Sequence, residues 1–208
     1  MKTIIYGILI IQLFSNNLNA QNEKNTEDFK IIVANINELG KYKSFVDDAI
    51  TLLNEVFNSD EYRTVVLTKK FDWENLNGGY TEMTNDEVYE KLIGWNDSVE
   101  MKLLIKPRGL RLTAYLYGTI GVTNLNSNTT KTYRHWIDLT PENYQRSVVM
   151  YASHIAHEYC HQRGFTDKND RPQCEFRDVV PYAIGDITCE LINEMYKSEY
   201  DCDKCSKE

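Results

Sequence analysis

One run of twelve residues, Ala-His-Glu-Tyr-Cys-His-Gln-Arg-Gly-Phe-Thr-Asp at 156–167, has the types and spacing to do chemistry. His157 and His161 stand four apart, which puts both imidazoles on one helix face and lets both reach one metal ion. Glu158 is expected to point into the same space, where it can take a proton from an attacking water. Two protein ligands are too few for a catalytic zinc, which takes three and keeps a fourth position open. Gly164 suggests how a third arrives. A glycine there lets the helix stop in a left-handed turn, and the chain can then swing back to present Asp167. Asp170, Glu175, Asp178, Glu190 and Glu194 are rival carboxylates, and the glycine spacing favours Asp167. The chemistry is metal-assisted hydrolysis with zinc as cofactor. A structural zinc and no metal at all are the alternatives, but Glu158 has no place in a purely structural site.

A helix must position this set. Thr140 suits an N-cap, Pro141 a first helical position and Gly164 a left-handed C-cap, so the helix is predicted from Thr140 to Gly164. At about 100° per residue, His154, His157, Glu158 and His161 fall within about 100° of one another. Val148, Val149, Ala152, Ile155, Ala156, Tyr159 and Cys160 lie opposite. The pattern describes a helix that buries one face and aims three histidines and a carboxylate from the other. His154 lies about 10 Å from His161 along the axis, too far to share an ion. It reads as a polar rim residue, with the orienting of Glu158 as the alternative.

The flanking elements are read from periodicity. Residues 29–36 form a buried strand, and Phe45, Ala49, Leu52, Leu53 and Val56 mark a helix. Residues 60–71 fit helix or strand. Thr84 or Asn85 caps a short helix closing near Gly94. Residues 100–107, 110–123 and 131–139 are strands rich in β-branched and aromatic residues, with a turn at 124–130. His135, beside Tyr133 and Trp136, is structural. A last helix starts at Pro181, with Ile184, Ile187, Leu191 and Met195 in register. This order describes an α/β or α+β domain with a mixed sheet. An edge strand, 110–123 or 131–139, could pair with an extended peptide.

Composition narrows the class. The chain has 208 residues, the length of one domain, and its 42% hydrophobic residues can build a core. Residues 1–20 read as a secretory signal: Lys2, an apolar stretch from Ile4 to Phe14, and a cleavage point after Ala20. That stretch is shorter than the about 20 apolar residues of a membrane span. The reading is a domain over 21–208, periplasmic or extracellular, with no membrane attachment after signal removal. Acidic residues outnumber basic ones, 31 to 23, and no basic stripe is present, which argues against a nucleic-acid binder. All five cysteines lie at or after Cys160. Export favours disulfides among them, and Cys160, on the apolar helix face, is assigned as the free thiol. Cys202-Asp-Lys-Cys205 reads as a disulfide-stapled tail.

The run from His157 to Asp167 resembles the zinc-binding signature of metzincin metallopeptidases, HExxHxxGxx followed by His or, in a minority of members, Asp. The resemblance implies that His157, His161 and Asp167 are zinc ligands and Glu158 the general base. It implies a single zincin-like domain, with a twisted mixed sheet whose antiparallel edge strand lies above the active-site helix. An N-terminal subdomain would span 21–164, and a small helical C-terminal subdomain 165–208. Two departures stand out: aspartate at 167 where most members have histidine, and no methionine between Asp167 and Met195 for the family's methionine turn. Val180-Pro181-Tyr182 occupies that place and resembles a segment following the zinc motif in some bacterial secreted metallopeptidases. There Tyr182 could line the site and donate its hydroxyl. The function implied is zinc-dependent hydrolysis of a peptide or protein substrate. The alternatives are a non-catalytic secreted binding protein on a peptidase fold and a zinc amidase acting on cell-wall peptide.

Overall fold

The computed structural model describes residues 28–73, 82–94, 98–106, 121–124, 128–167 and 177–200. The signal segment 1–20, the first part of the strand expected at 110–123, Asp170, Glu175, Cys174, Cys202 and Cys205 lie outside these residues. Within them the fold is mixed α/β. The elements run β1 (Lys30–Val33), α1 (Lys43–Phe57), α2 (Asp60–Thr68), α3 (Asn85–Tyr89), β2 (Ser98–Lys106), β3 (Gly121–Asn124), β4 (Thr129–Tyr133), α4 (Tyr144–Gln162) and α5 (Val180–Tyr196). The sheet order is β1-β2-β4-β3. β1 and β4 both run parallel to β2, with Ile32 opposite Glu100 and Leu104 opposite Lys131. β3 runs antiparallel to β4 at the end of the sheet, with Thr123 opposite Thr130.

Alternation along the strands assigns the faces. Ile31, Val33, Met101, Leu103, Thr130 and Thr132 are buried, whereas Lys30, Ile32, Glu100, Lys102 and Lys131 are exposed. Lysines on the outer face keep it solvated, and the inner face meets the helices. α1 forms because Phe45, Val46, Ala49, Leu53 and Val56 recur at helical spacing, and all five are buried. The segment that fitted helix or strand is the helix α2, since the Ser59 side chain accepts the Tyr62 amide at 3.1 Å and caps it. α3 starts with a reciprocal capping box between Thr84 and Glu87, then widens into a π turn over Glu90–Gly94.

Three boundaries differ from the sequence reading. The strand expected at 131–139 ends at Tyr133 and passes into a 3-10 turn, Arg134–Trp136. The strand expected at 29–36 is confined to Lys30–Val33. The helix expected from Thr140 begins at Tyr144. The Thr140 amide donates to Asp138 at 3.0 Å, the Asn143 side chain donates to the other Asp138 oxygen at 2.9 Å, and the Asn143 amide donates to the Thr140 carbonyl at 3.0 Å. Those bonds close a turn and spend the capping groups before the helix begins.

The sheet margin at β1 is satisfied by side chains. Asn54 of α1 accepts from the Ile31 amide at 2.8 Å and donates to the Ile31 carbonyl at 3.2 Å. Asn58 does the same for Phe29, at 2.8 Å each way. Two asparagines one helical turn apart thus imitate a neighbouring strand and fasten α1 to the sheet. Replacing Asn54 by alanine removes both Ile31 bonds. It is expected to cost about 1–3 kcal/mol, read as a lowered urea midpoint at unchanged slope.

Candidate metal centre

The last two turns of α4 and the five residues after it bring together three side chains that could hold a metal ion. The Nε2 atoms of His157 and His161 lie 3.2 Å apart. Asp167 places one carboxylate oxygen 3.7 Å from His157 Nε2 and the other 3.5 Å from His161 Nε2. Donors held about 2.0–2.1 Å from one tetrahedral ion stand roughly 3.3 Å apart, so the cluster already has the spacing a zinc ion needs. Two imidazoles and one carboxylate also match zinc chemically and leave a fourth position for water. Among the described residues this is the group of histidine, cysteine and acidic side chains that could hold an ion. Sequence spacing named the same three.

Gly164 makes the convergence possible. It sits at φ +84°, in the left-handed region. The Gly164 amide donates to the His161 carbonyl at 2.9 Å and the Phe165 amide to the Cys160 carbonyl at 3.0 Å, the two bonds of a Schellman turn. The turn also brings the Phe165 carbonyl 2.9 Å from His161 Nδ1. The Nδ1 proton donates there, which leaves Nε2 as the atom facing His157 and Asp167. The turn is docked on the π segment before β2. Tyr159 donates to the Leu92 carbonyl at 2.5 Å, Arg163 donates to the Lys91 carbonyl at 2.7 Å, and the Lys91 ammonium lies 4.5 Å from the Phe165 ring centre.

Glu158 is buried, at 4% exposure, and does not join the ligand cluster. Its Oε2 accepts from the Thr123 hydroxyl of β3 at 2.6 Å, and its Oε1 lies 3.8 Å from His154 Nδ1. His154 is buried as well, with Nε2 3.2 Å from the Thr132 hydroxyl and its ring edge-on to Trp136. The rim position read for His154 is therefore corrected. The one-faced helix is corrected too: α4 is buried on both sides, from Ser147 through Cys160 with few breaks. The β3–β4 hairpin covers the face that the amphipathic pattern assigns to an open site. Gly121 lets the hairpin come so close, since a Cβ there would lie 2.5 Å from the His154 ring.

α5 lies against the other flank of α4. Gly185 stands where a Cβ would meet the Ser153 carbonyl at 3.2 Å and the His157 Cβ at 3.5 Å. Tyr182, in its first turn, sets its ring edge-on to His157 with centres 4.6 Å apart. The segment Val180-Pro181-Tyr182 is thus the start of a helix beside the cluster, one residue earlier than the sequence suggested. Among the rival carboxylates, Asp178 pairs with Lys69 at 2.8 Å, and Glu190 and Glu194 are exposed on α5. Cys160 is a buried free thiol, and Cys189 is in a disulfide whose partner lies outside the described residues. Sequence reasoning missed Gly121, Thr123, Thr130 and Thr132. The alternating threonines of β4 were the available signal, marking a strand face that meets polar groups.

No protein-family model matches the chain, and no solved structure matches it.

The electrostatics of the metal-free cluster are those of a cation site holding a proton. Burial works against a charged His161, but the hydrogen-bonded Asp167 carboxylate, the Glu158 charge and the Phe165 carbonyl outweigh it and raise the imidazole to about 9. Burial pushes Asp167 up, yet the His161 hydrogen bond and the charges of both histidines hold it below the usual carboxylate range. A raised histidine stabilises the fold fully below its unfolded value of 6.5, and the contribution is lost as pH rises through about 9. Zinc requires the neutral imidazole, so binding at pH 7 is expected to release about one proton per ion. Affinity should climb about tenfold per pH unit up to pH 9 and flatten above it. Calorimetric titration in buffers of different ionisation heat measures the proton count directly, and a count of zero would contradict this electrostatic picture.

Proposed function

We propose that this chain is an exported zinc-dependent metallopeptidase with a zincin-like domain, resembling the metzincins in its HExxHxxGxxD run. The observation that carries the reading is the convergence of His157, His161 and Asp167 at mutual distances of 3.2–3.7 Å, with Glu158 following the first of them in sequence. The mixed sheet with β3 as an antiparallel strand at its end fits that resemblance. Export rests on residues 1–20. None of the helices among the described residues is long and apolar enough to cross a membrane.

In this reading His157, His161 and Asp167 hold the ion. When bound, zinc supplies Lewis acidity to the scissile carbonyl and to a water molecule. Glu158 takes the proton from the attacking water and passes it to the leaving amine. Burial and the Thr123 bond keep its carboxylate in one orientation while it does so. Tyr182, stacked edge-on against His157, lines the site and offers its hydroxyl to the developing oxyanion. A substrate in extended form would pair with the sheet end at β3, which brings main-chain affinity with little demand on sequence.

The test is cleavage of a diverse peptide mixture by zinc-loaded protein, read by mass spectrometry beside its Glu158→Ala variant. The expected result is cleavage that a chelator abolishes and zinc restores, lowered about 10²–10⁴-fold in the variant. Equal cleavage by both proteins would mean a contaminating protease. Zinc binding with no cleavage by either would turn the reading to a binding protein on a peptidase fold, or to an amidase outside the range of the mixture.

A further inference from the structure

The polar residues that α4 turns toward the hairpin form a stripe four residues apart: His154, Glu158 and Gln162. Each meets a strand threonine: Thr132 at 3.2 Å, Thr123 at 2.6 Å and Thr130 at 3.5 Å. The two hairpin hydroxyls are joined in turn, Thr123 to Thr130 at 2.7 Å. Donor arithmetic sets the direction of this chain. An ionised Glu158 has no proton to give, so the Thr123 hydroxyl donates to it. Having one proton, Thr123 must then accept from Thr130. Thr130 accepts from Gln162 Nε2 at 3.5 Å, a nitrogen that can only donate. The relay runs Gln162 to Thr130 to Thr123 to Glu158 and ends on the carboxylate, each bond polarising the next.

We infer that Thr123 is the positioning residue for Glu158, holding its carboxylate from the end strand through a hydroxyl relay that begins at Gln162. The inference rests on the peptidase reading for the role of Glu158, but the tie itself is a property of the metal-free chain. A glutamate side chain has three torsions, and burial alone leaves the rotation of its carboxylate open. A charge-assisted bond of 2.6 Å from a short strand side chain fixes it. The strand that supplies the bond is the one an extended substrate would pair with, so occupancy of the strand and orientation of the base are mechanically linked. Trp136, Thr132 and the Gly121 backbone fix the far end of the stripe at His154.

Thr123→Val keeps the shape and removes the hydroxyl; Thr123→Ser keeps the hydroxyl. Two readouts are taken at pH 7. The first, on metal-free protein, is the carboxyl-carbon resonance of Glu158, assigned by its absence in Glu158→Gln. It should move in Thr123→Val and return toward the wild-type position in Thr123→Ser. The second is turnover of a peptide found in the cleavage screen. kcat should fall about ten- to a hundredfold in Thr123→Val, with KM near that of the wild type, and recover in Thr123→Ser. The thermal midpoint of Thr123→Val should fall as well, because the buried carboxylate loses its donor. An unmoved resonance overturns the inference whatever the activity, and so does wild-type kcat in Thr123→Val. A moved resonance in a protein that cleaves nothing upholds the hydrogen bond but overturns both the peptidase reading and the positioning role that rests on it.

Discussion

Helix α4 lies in the interior, and its polar side chains cannot be left to water. His154 and Glu158 are almost fully buried, and a buried polar or charged group is costly unless it is hydrogen-bonded. The threonines of the β3–β4 hairpin meet that requirement. Much of the architecture follows from it. The hairpin must approach within hydrogen-bonding distance, which demands glycine at 121. α5 must close the opposite flank, which brings Gly185 against the Ser153 carbonyl. α1, fastened to the sheet by Asn54 and Asn58, packs on α4 from a third side. The helix is held between these layers; outside its exposed first turn at Gln145, it comes near the surface at His157 and over its last turn at His161 and Gln162.

This burial explains why parts of the fold were legible in the sequence and others were not. Local signals were read correctly: the apolar spacing of α1, a cap at Thr84 or Asn85 (the structure selects Thr84), the left-handed turn at Gly164 and the proline opening of α5. Each is decided by neighbours within a few residues. The start of α4 was misplaced because Thr140 and Asn143 bond to Asp138 in a turn, an equally local use of the same residues that competes with capping. The exposed face assigned to α4 failed for a different reason. Helical periodicity separates polar from apolar residues but does not say what lies beside them, and here threonines cover the polar face.

The same division runs through the site. His157, His161 and Asp167 fall within eleven residues, and the glycine between them dictates the path of the chain, so their convergence was readable as a unit. The surroundings of Glu158 were not. Thr123 is 35 positions away in sequence, and His154 gains its partner Thr132 across 22. Those contacts are products of sheet order and strand register. A threonine-rich hairpin could have hinted at a polar inner face, but nothing local pairs Thr123 with Glu158 rather than with its neighbours.

A single backbone torsion then decides more of the site than any side chain does. With Gly164 at φ +84°, the two Schellman bonds form and the helix stops at Gln162. The Phe165 carbonyl comes to His161 Nδ1 and selects which nitrogen faces the cluster, and two residues later Asp167 arrives opposite it. One ligand is thus oriented and another delivered by the same turn. Arg163, Lys91 and Tyr159 bind that turn to the π segment ahead of β2, so it is not free to unwind. An L-residue at 164 would have to adopt a conformation that costs about 1 kcal/mol or more. Relaxing that strain would swing both ligands together. The Asp167 carboxylate, hydrogen-bonded to His161, outweighs burial and favours the protonated imidazole, so the three side chains sit together without an ion. In the proposed zinc reading, an incoming ion would displace a proton rather than gather distant side chains.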